Sequence, residues 1–297
     1  MSQQERFIQY LQFEKRYSPH TVISYRTDLH QFDQFLQAHF DLSLPEEAQP
    51  PMVRSWLVDL MDDGLSTRSI NRKLSSLKSF FRFLMKEGLI VESPLLRVPS
   101  PKTAKRLPVF IAEESMSQLF KQTEPADGYE NHRDRMMLET FYATGMRLSE
   151  LIGLRTKDID FGSSTMRVLG KRNKERLIPF GQHLHQALQD YLKEKQNTHF
   201  LVEEPEGFLF LTVQGKKLYS RLVYRIVNKY LEQVSLEEKK SPHVLRHTFA
   251  THMLNRGADL NAIKEILGHA NLSATQVYTH NTIDKLKKIY QQAHPKA

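Results

Sequence analysis

The 297-residue sequence contains no cysteine. This absence excludes disulfide bonds and thiolate metal sites, and it favours a reducing compartment. The sequence also lacks any apolar run approaching the roughly 20 residues of a membrane-spanning helix. The first ten residues, "MSQQERFIQY", lack the basic start and apolar stretch of a signal peptide. We therefore expect a cytoplasmic protein without membrane contact.

Acidic residues are in deficit, since 34 Asp and Glu stand against 42 Lys and Arg, a net charge of +8. The deficit is uneven along the chain. Residues 1–98 hold equal numbers of acidic and basic residues, so residues 99–297 carry the whole excess. A polyanionic partner such as nucleic acid would explain this charge, although a merely basic surface would give the same total.

A proline-rich, basic segment, "SPLLRVPSPKTAKRLP" (residues 93–108), has no clear periodicity and is typical of a linker. It divides the chain into a helical domain (1–98), a linker (99–107) and a second domain (108–297). In the second domain, helical patterns surround two alternating segments, "TMRVLG" and "ERLIPF", which predict a β-hairpin. The predicted fold class is mostly α with a small antiparallel β-sheet.

Acidic residues are also missing between Asp63 and Glu87, where "STRSINRKLSSLKSFFRFLMKE" predicts a helix capped by Ser66 and stopped at Gly88. One face of this helix is apolar. The opposite face, here called the basic stripe, consists of Arg68, Arg72, Ser75, Ser79, Arg82 and Lys86. A solvated face would usually mix its charges. We therefore favour DNA contact by Arg68, Arg72, Arg82 and Lys86 over a plain solvent-exposed face.

The segment "SPHVLRHTFATHML" (241–254) begins like a helix, with a serine cap and a proline at the first helical position. His243 and Arg246 fall in its first turn and on one side. Because a helix N-terminus favours anions, the first interpretation is a phosphate site. His243 and His247 have the i, i+4 spacing of zinc ligands, but the glutamate of the His-Glu-x-x-His motif is absent and Arg246 lies between them.

Three further segments complete the pattern: "ATGMRLSEL" (143–151), "GKRNKER" (170–176) and "LGHANLSATQVYTH" (267–280). In this order and spacing, the four segments resemble the tyrosine recombinase, or phage integrase, family, and most closely its Xer-type chromosome-dimer resolvases. The resemblance implies an N-terminal helical DNA-binding domain and an α+β catalytic domain. It assigns the catalytic set Arg147, Lys171, His243, Arg246, His269 and the nucleophile Tyr278, with Glu150 in a supporting position.

The chemistry independently suits these residue types. Arginine forks can hold the charge that builds on a phosphate under attack, and histidines can donate hydrogen bonds or handle protons. By resemblance, Tyr278 attacks phosphorus to form a 3′-phosphotyrosyl link, and Lys171 protonates the departing 5′ oxygen. Because the link conserves the energy of the phosphodiester, the reaction needs no metal, ATP or other cofactor.

The basic turn of the hairpin departs from the family pattern, because Arg172 occupies a position where relatives often have glycine. We interpret Arg172, Lys174 and Arg176 as contacts to the DNA backbone rather than as catalysts. His247 and His252 are interpreted as structural or supporting residues. An isolated arginine or tyrosine would more often be structural, and only the joint spacing singles out Arg147 and Tyr278.

The resemblance implies four protomers on two double-stranded recombination sites, with a second recombinase and a septal DNA translocase as further partners. Chromosome or plasmid dimers would be resolved in this way before cell division. A phage or mobile-element integrase would use the same chemistry. A type IB topoisomerase shares much of that chemistry without a tetramer. A non-catalytic DNA-binding factor would have no need for the complete catalytic set.

The C-terminal tail, "TIDKLKKIYQQAHPKA", repeats apolar residues at helical spacing and predicts a short amphipathic helix. Such a helix is marginal alone and must bury its apolar side against a surface. That surface is either its own domain or, as the resemblance implies, a neighbouring protomer.

Overall fold

The computed structural model describes residues 1–103, 109–122, 128–170, 174–200, 206–235, 240–268 and 280–296. Its internal contacts divide the chain into two units, Met1–Arg106 and Leu107–Ala297. Within the described ranges, helices dominate and the strands form a single three-stranded antiparallel sheet. The predicted fold class is confirmed. No helix in these ranges is both long and apolar enough to span a membrane.

The described residues of the N-terminal unit form helices and no strand. Its α-helices are α1 (Gln3–Gln9), α2 (Pro19–Phe40), α3 (Pro50–Asp62) and α4 (Thr67–Lys86). A π-helical turn, Tyr10–Glu14, extends α1, and a 3-10 turn, Pro45–Glu47, precedes α3. The predicted cap at Ser66 is confirmed, since its hydroxyl accepts a hydrogen bond from the backbone N–H of Ser69. Ser18 caps α2 in the same way, by accepting the N–H of Thr21.

Helix α4 lies with one face in the core of this unit, as its pattern predicts. Its inward residues are Ile70, Leu74, Leu77, Phe80, Phe81 and Leu84, all fully buried. The core they enter contains Trp56 of α3, whose ring centroid lies 4.9 Å from that of Phe32 of α2. Fixing this apolar face toward the core leaves the basic stripe on the outer surface of the unit.

The C-terminal unit surrounds a buried central helix. Its α-helices are α5 (Glu113–Gln122), α6 (Tyr129–Thr144), α7 (Leu148–Gly153), α8 (Gln182–Asn197), α9 (Ser220–Leu231), α10 (Pro242–Asn255), α11 (Leu260–Leu267) and α12 (His280–Ala293). Helix α6 packs against α8 and α10. It ends at Gly145 in a left-handed conformation (φ +58°). A side chain there would collide with Phe249 and Leu267, so close packing also requires glycine.

The sheet consists of β1 (Ile159–Asp160), β2 (Thr165–Leu169) and β3 (Glu175–Pro179). Strands β2 and β3 form the predicted antiparallel hairpin, with Met166 opposite Ile178 and Val168 opposite Arg176. A 3-10 turn, Thr156–Asp158, leads into β1. Because side chains alternate across a strand, Arg176 shares the inward face of β3 with Ile178, and both are buried.

The tail forms the predicted helix, and α12 packs against α10, α11 and β3 of its own unit. Leu286, Tyr290 and Ala293 are buried there. His294 is also buried, where its ring stacks on Tyr290 at 4.7 Å and its Nε2 hydrogen-bonds to the carbonyl of Tyr142. Burial lowers the pKa of His294 to about 3, so the imidazole is neutral at pH 7. Of the two surfaces considered for the tail, the single chain uses its own domain.

Candidate active site

The first turn of α10 carries two of the predicted site residues. Ser241 caps the helix by accepting the N–H of Val244, and Pro242 begins it. His243 is exposed, whereas Arg246, one turn further, is only 6% exposed. The buried guanidinium donates from Nη1 to the carbonyl of Gly145 and from Nη2 to that of Leu267, both at 2.7 Å. The end of α6 and the end of α11 thus hold Arg246 in place.

Arg147 stands at the N-terminus of α7, where it is the cap residue. Its Nη1 donates to Oε1 of Glu150 at 2.9 Å, and its backbone N–H donates to Oε2 at 2.7 Å. Its Nη2 donates to the carbonyl of Gly268 at 3.0 Å. The Arg147 side chain remains 34% exposed, so it is accessible to a ligand.

Arg147 and Arg246 are thereby brought together at one end of α11, because they bind the carbonyls of two consecutive residues, Leu267 and Gly268. Burial and the nearby positive charges of Arg147 and Arg176 lower the pKa of Arg246 to about 10. Arg246 is therefore still cationic at pH 7. Two adjacent guanidinium groups can both donate hydrogen bonds to the oxygens of one anion, such as a phosphodiester.

Glu150 is a buried carboxylate that links Arg147 to Arg176. It is nearly inaccessible to solvent and accepts hydrogen bonds from both Arg147 and Arg176. Burial alone would raise the pKa of Glu150, but the hydrogen bonds and charge of Arg176, with those of Arg147, lower it to about 2. The ionised carboxylate therefore stabilises the fold at neutral pH, and this contribution is lost as the pH falls from the ordinary glutamate range toward 2.

Arg176 is buried, although the sequence predicted it on the DNA-binding surface. We expected a contact to the DNA backbone, but Arg176 is 5% exposed and donates two parallel hydrogen bonds to Glu150, at 2.7 and 2.9 Å. Its Nε donates to the carbonyl of Ile266 at 2.7 Å. A buried side chain with these partners cannot reach DNA, so that expectation is wrong.

Several predicted residues lie outside the described residues: Lys171, Arg172, His269 and Tyr278. Lys174 is described and exposed, and its carbonyl accepts the N–H of Gly170 at 2.8 Å across the hairpin. His252 has the structural role that was expected. It is buried, with Nδ1 at 2.9 Å from the Tyr142 hydroxyl and Nε2 at 2.8 Å from the carbonyl of Ile111. His247 is exposed.

The basic stripe of α4 is exposed at Arg68, Arg72, Arg82 and Lys86. Arg72 also has internal partners that the sequence pattern did not indicate. Its Nη1 lies 2.5 Å from both the Ser24 hydroxyl and Oδ2 of Asp28, a fully buried carboxylate on α2. Arg72 is still 48% exposed, so it remains part of the surface.

A second basic face, on α9, was missed in the sequence interpretation. Arg221, Arg225 and Lys229 recur every four residues and are all exposed. Tyr219 and Asn228 line the same open groove. The opposite face of α9 is apolar and buried. The regular spacing of the basic residues was the available signal.

Comparison with known proteins identifies two matching family models. The phage integrase family model matches residues 109–285, and the model of the phage integrase N-terminal SAM-like domain matches residues 5–88. Two solved structures share the fold at 21% identity. One is the Tn1549 transposon integrase in complex with circular intermediate DNA (TM-score 0.72, covering 96% of this chain and 98% of that one). The other is the XerH site-specific recombinase bound to a palindromic difH substrate (TM-score 0.69, 93% and 77%).

Relatives with higher identity span almost the whole chain. The tyrosine recombinase XerC of Chlorobaculum parvum is 42% identical, over 99% of this chain and 94% of the relative. XerC of Oceanobacillus iheyensis is 43% identical, over 98% and 95%. XerC of Bacillus subtilis is 39% identical, over 98% and 95%. With the paired arginines and these matches, the chain belongs to the phage integrase family.

Proposed function

We propose that the protein is a site-specific tyrosine recombinase of the Xer type, which cuts and rejoins DNA and resolves chromosome or plasmid dimers. The observation that carries this proposal is the pairing of Arg147 and Arg246 at the end of α11. These arginines come from separate segments, yet they bind adjacent carbonyls immediately before the position of His269. Close relatives of nearly equal length that are named XerC favour the Xer type over a mobile-element integrase.

In the proposed reaction, Arg147 and Arg246 clamp the non-bridging oxygens of the scissile phosphate. The Tyr278 oxygen attacks phosphorus, and its proton passes to His243 or His269. The bond from phosphorus to the 5′ oxygen breaks, and Lys171 protonates that oxygen as it leaves. The product is a 3′-phosphotyrosyl link, which a 5′ hydroxyl can attack in turn to rejoin the DNA.

Each unit contributes a DNA-binding surface in this proposal. The N-terminal unit presents Arg68, Arg72, Arg82 and Lys86 of the basic stripe. For the C-terminal unit, the proposed contacts are Arg172, Lys174 and the basic face of α9. Exposed arginine and lysine side chains provide the phosphate contacts from which most of the affinity for DNA arises.

The proposed assembly has four protomers on two double-stranded recombination sites, either identical or shared with a second recombinase. A septal DNA translocase is a further proposed partner, and the cytoplasm is the proposed location. An electrophoretic mobility-shift titration of the protein on half-sites and on full sites would distinguish binding of one protomer from cooperative assembly.

Covalent capture tests the proposed function. The protein is incubated with a nicked suicide duplex carrying the host's candidate recombination site, in the presence of excess EDTA. We expect an SDS-resistant protein–DNA adduct, because cationic side chains stabilise the charge that metal ions stabilise in other phosphoryl-transfer enzymes. The position of the adduct identifies the cleaved bond and the polarity of attack.

A duplex of scrambled sequence serves as the control and should give no adduct. A strict requirement for added Mg²⁺ in the cleavage step would contradict the assigned chemistry. Site binding without any adduct would instead indicate a DNA-binding factor. Relaxation of supercoiled DNA without strand exchange between two sites would indicate a topoisomerase.

Alanine substitution of Arg72 and Arg82 tests the basic stripe. We expect weaker DNA binding and a flatter dependence of log K on log salt, by roughly 0.9 for each lost phosphate contact. The measurement is a binding isotherm at several salt concentrations. Arg54→Ala is the matched control, because Arg54 is an exposed arginine on α3 rather than α4. An unchanged affinity and slope in the double variant would mean that the stripe faces only solvent.

A further inference from the structure

The C-terminal end of α11 is bound by three arginines rather than two. The carbonyls of Ile266, Leu267 and Gly268 accept hydrogen bonds from Arg176, Arg246 and Arg147, respectively. These carbonyls lie at the C-terminal end of α11, which is the negative end of the helix dipole. The end of α11 is therefore the common anchor of the two proposed phosphate-binding arginines and of Arg176.

Arg176 also binds Glu150, which is the other hydrogen-bond partner of the Arg147 side chain. Its two terminal nitrogens bind both oxygens of Glu150, and Oε1 of Glu150 accepts Nη1 of Arg147 as well. Arg176 is thus linked to Arg147 by two separate routes, one through Glu150 and one through the end of α11. Arg176 therefore makes three hydrogen bonds, two to Glu150 and one to the carbonyl of Ile266. A planar guanidinium can make all three at once, which the ammonium group of lysine cannot do in the same geometry.

Close packing restricts Arg176 further. A Cβ atom on Gly268 would lie 3.0 Å from Cδ and 3.2 Å from Nε of Arg176. Gly268 has a left-handed conformation (φ +66°) and is the last described residue before the position of His269. The stem of Arg176 therefore packs against the backbone that leads directly into the remaining predicted catalytic residues.

We propose that Arg176 is a positioning residue for DNA cleavage, holding Glu150 and the end of α11 so that Arg147 meets the phosphate that Arg246 contacts. This inference rests on the proposed recombinase function. Arg176 touches neither DNA nor the reacting atoms in this role. Its effect on the reaction passes through Arg147.

A buried ion pair is not in itself evidence for such a role. Replacing a buried pair with apolar side chains is often neutral for stability, whereas removing one partner leaves an uncompensated charge. What distinguishes Arg176 is that its partners are also the partners of Arg147. A displacement of about 1 Å at a catalytic group can slow a reaction on the order of 100-fold.

The test uses Arg176→Lys in the full-length protein, with single-turnover cleavage of the nicked suicide duplex at saturating protein. Lysine retains the positive charge beside Glu150 but loses the parallel hydrogen bonds. We expect cleavage to slow on the order of 100-fold, while half-site affinity stays near that of the wild type and the variant remains folded at the assay temperature. Arg167→Lys is the control, because Arg167 lies on the adjacent strand and is 53% exposed.

A double-mutant cycle with Arg147→Lys provides a readout that a merely structural role would not move. If Arg176 acts through Arg147, the double variant is no slower than the slower single variant, because the two losses share one cause. Losses that multiply would overturn the proposal. Cleavage by Arg176→Lys at the wild-type rate would overturn it as well.

A folding defect in Arg176→Lys is addressed by Glu150→Gln combined with Arg176→Met, which removes the buried charges together. If this variant folds and binds DNA, cleavage slower than that of Glu150→Gln alone supports the proposal, and cleavage at the rate of Glu150→Gln alone overturns it. If neither variant folds, Arg176 serves stability alone and the proposal is overturned. Absence of an adduct from the wild-type protein would instead overturn the proposed function, so the two failures are distinguishable.

Discussion

Tyr278→Phe is expected to abolish the covalent protein–DNA adduct while leaving site binding nearly intact. The substitution removes only the hydroxyl oxygen, which is the atom that attacks phosphorus in the proposed reaction. The measurement is SDS-resistant adduct on the nicked suicide duplex, alongside the affinity for the same duplex.

Tyr17→Phe is the matched control for Tyr278→Phe, because Tyr17 is an exposed tyrosine of the N-terminal unit. It should form the adduct at the wild-type rate. An adduct that persists at that rate in Tyr278→Phe would exclude Tyr278 as the nucleophile. Mapping the linked peptide would then identify the residue that carries the DNA.

Deletion of residues 282–297 is expected to unfold the C-terminal unit rather than only to impair assembly. The deletion removes Leu286, Tyr290, Ala293 and His294, all of which are buried in the single chain. Truncating one large buried side chain costs about 2–5 kcal/mol. Several such losses together approach the total of about 5–15 kcal/mol that stabilises a typical protein. Thermal and urea unfolding of the truncated protein would measure the effect.

Point substitutions separate packing from assembly in the tail. Leu286→Ala should lower the free energy of unfolding by about 2–5 kcal/mol. Lys288→Ala is the control, because Lys288 is exposed on the same helix and should change stability by less than about 0.5 kcal/mol.

A truncated protein that folds but binds full sites without cooperativity would point to docking on a neighbouring protomer. One that folds, assembles and recombines normally would contradict both roles.

Local patterns in the sequence were sufficient for the helices. Ser66 and Ser241 cap helices where predicted, because capping depends on residues within one turn. The apolar periodicity of α4 predicted its buried face, because residues three or four apart lie on the same side of a helix. The β-hairpin followed from alternation over two short segments.

Partners far apart in the sequence were beyond local patterns. The pair of Arg72 with Asp28 joins residues that are 44 positions apart, and that of Arg176 with Glu150 joins residues 26 apart. The error at Arg176 had an available signal, however. Its position alternates in phase with Ile178, which placed it on the buried face of β3 despite its charge. A charged residue at an inward position requires a buried partner, and Glu150 provides it.

The contacts of Arg72 have a consequence for the thermodynamics of DNA recognition. Asp28 and Ser24 hold this arginine before any DNA arrives. An arginine that is ordered only on binding loses rotamer entropy worth up to about 2 kcal/mol at that moment. For Arg72 much of this loss has already occurred during folding, and the buried carboxylate compensates it there. In the proposed interface, Arg72 therefore meets DNA as a preorganised donor, with a smaller entropic penalty than a freely rotating side chain.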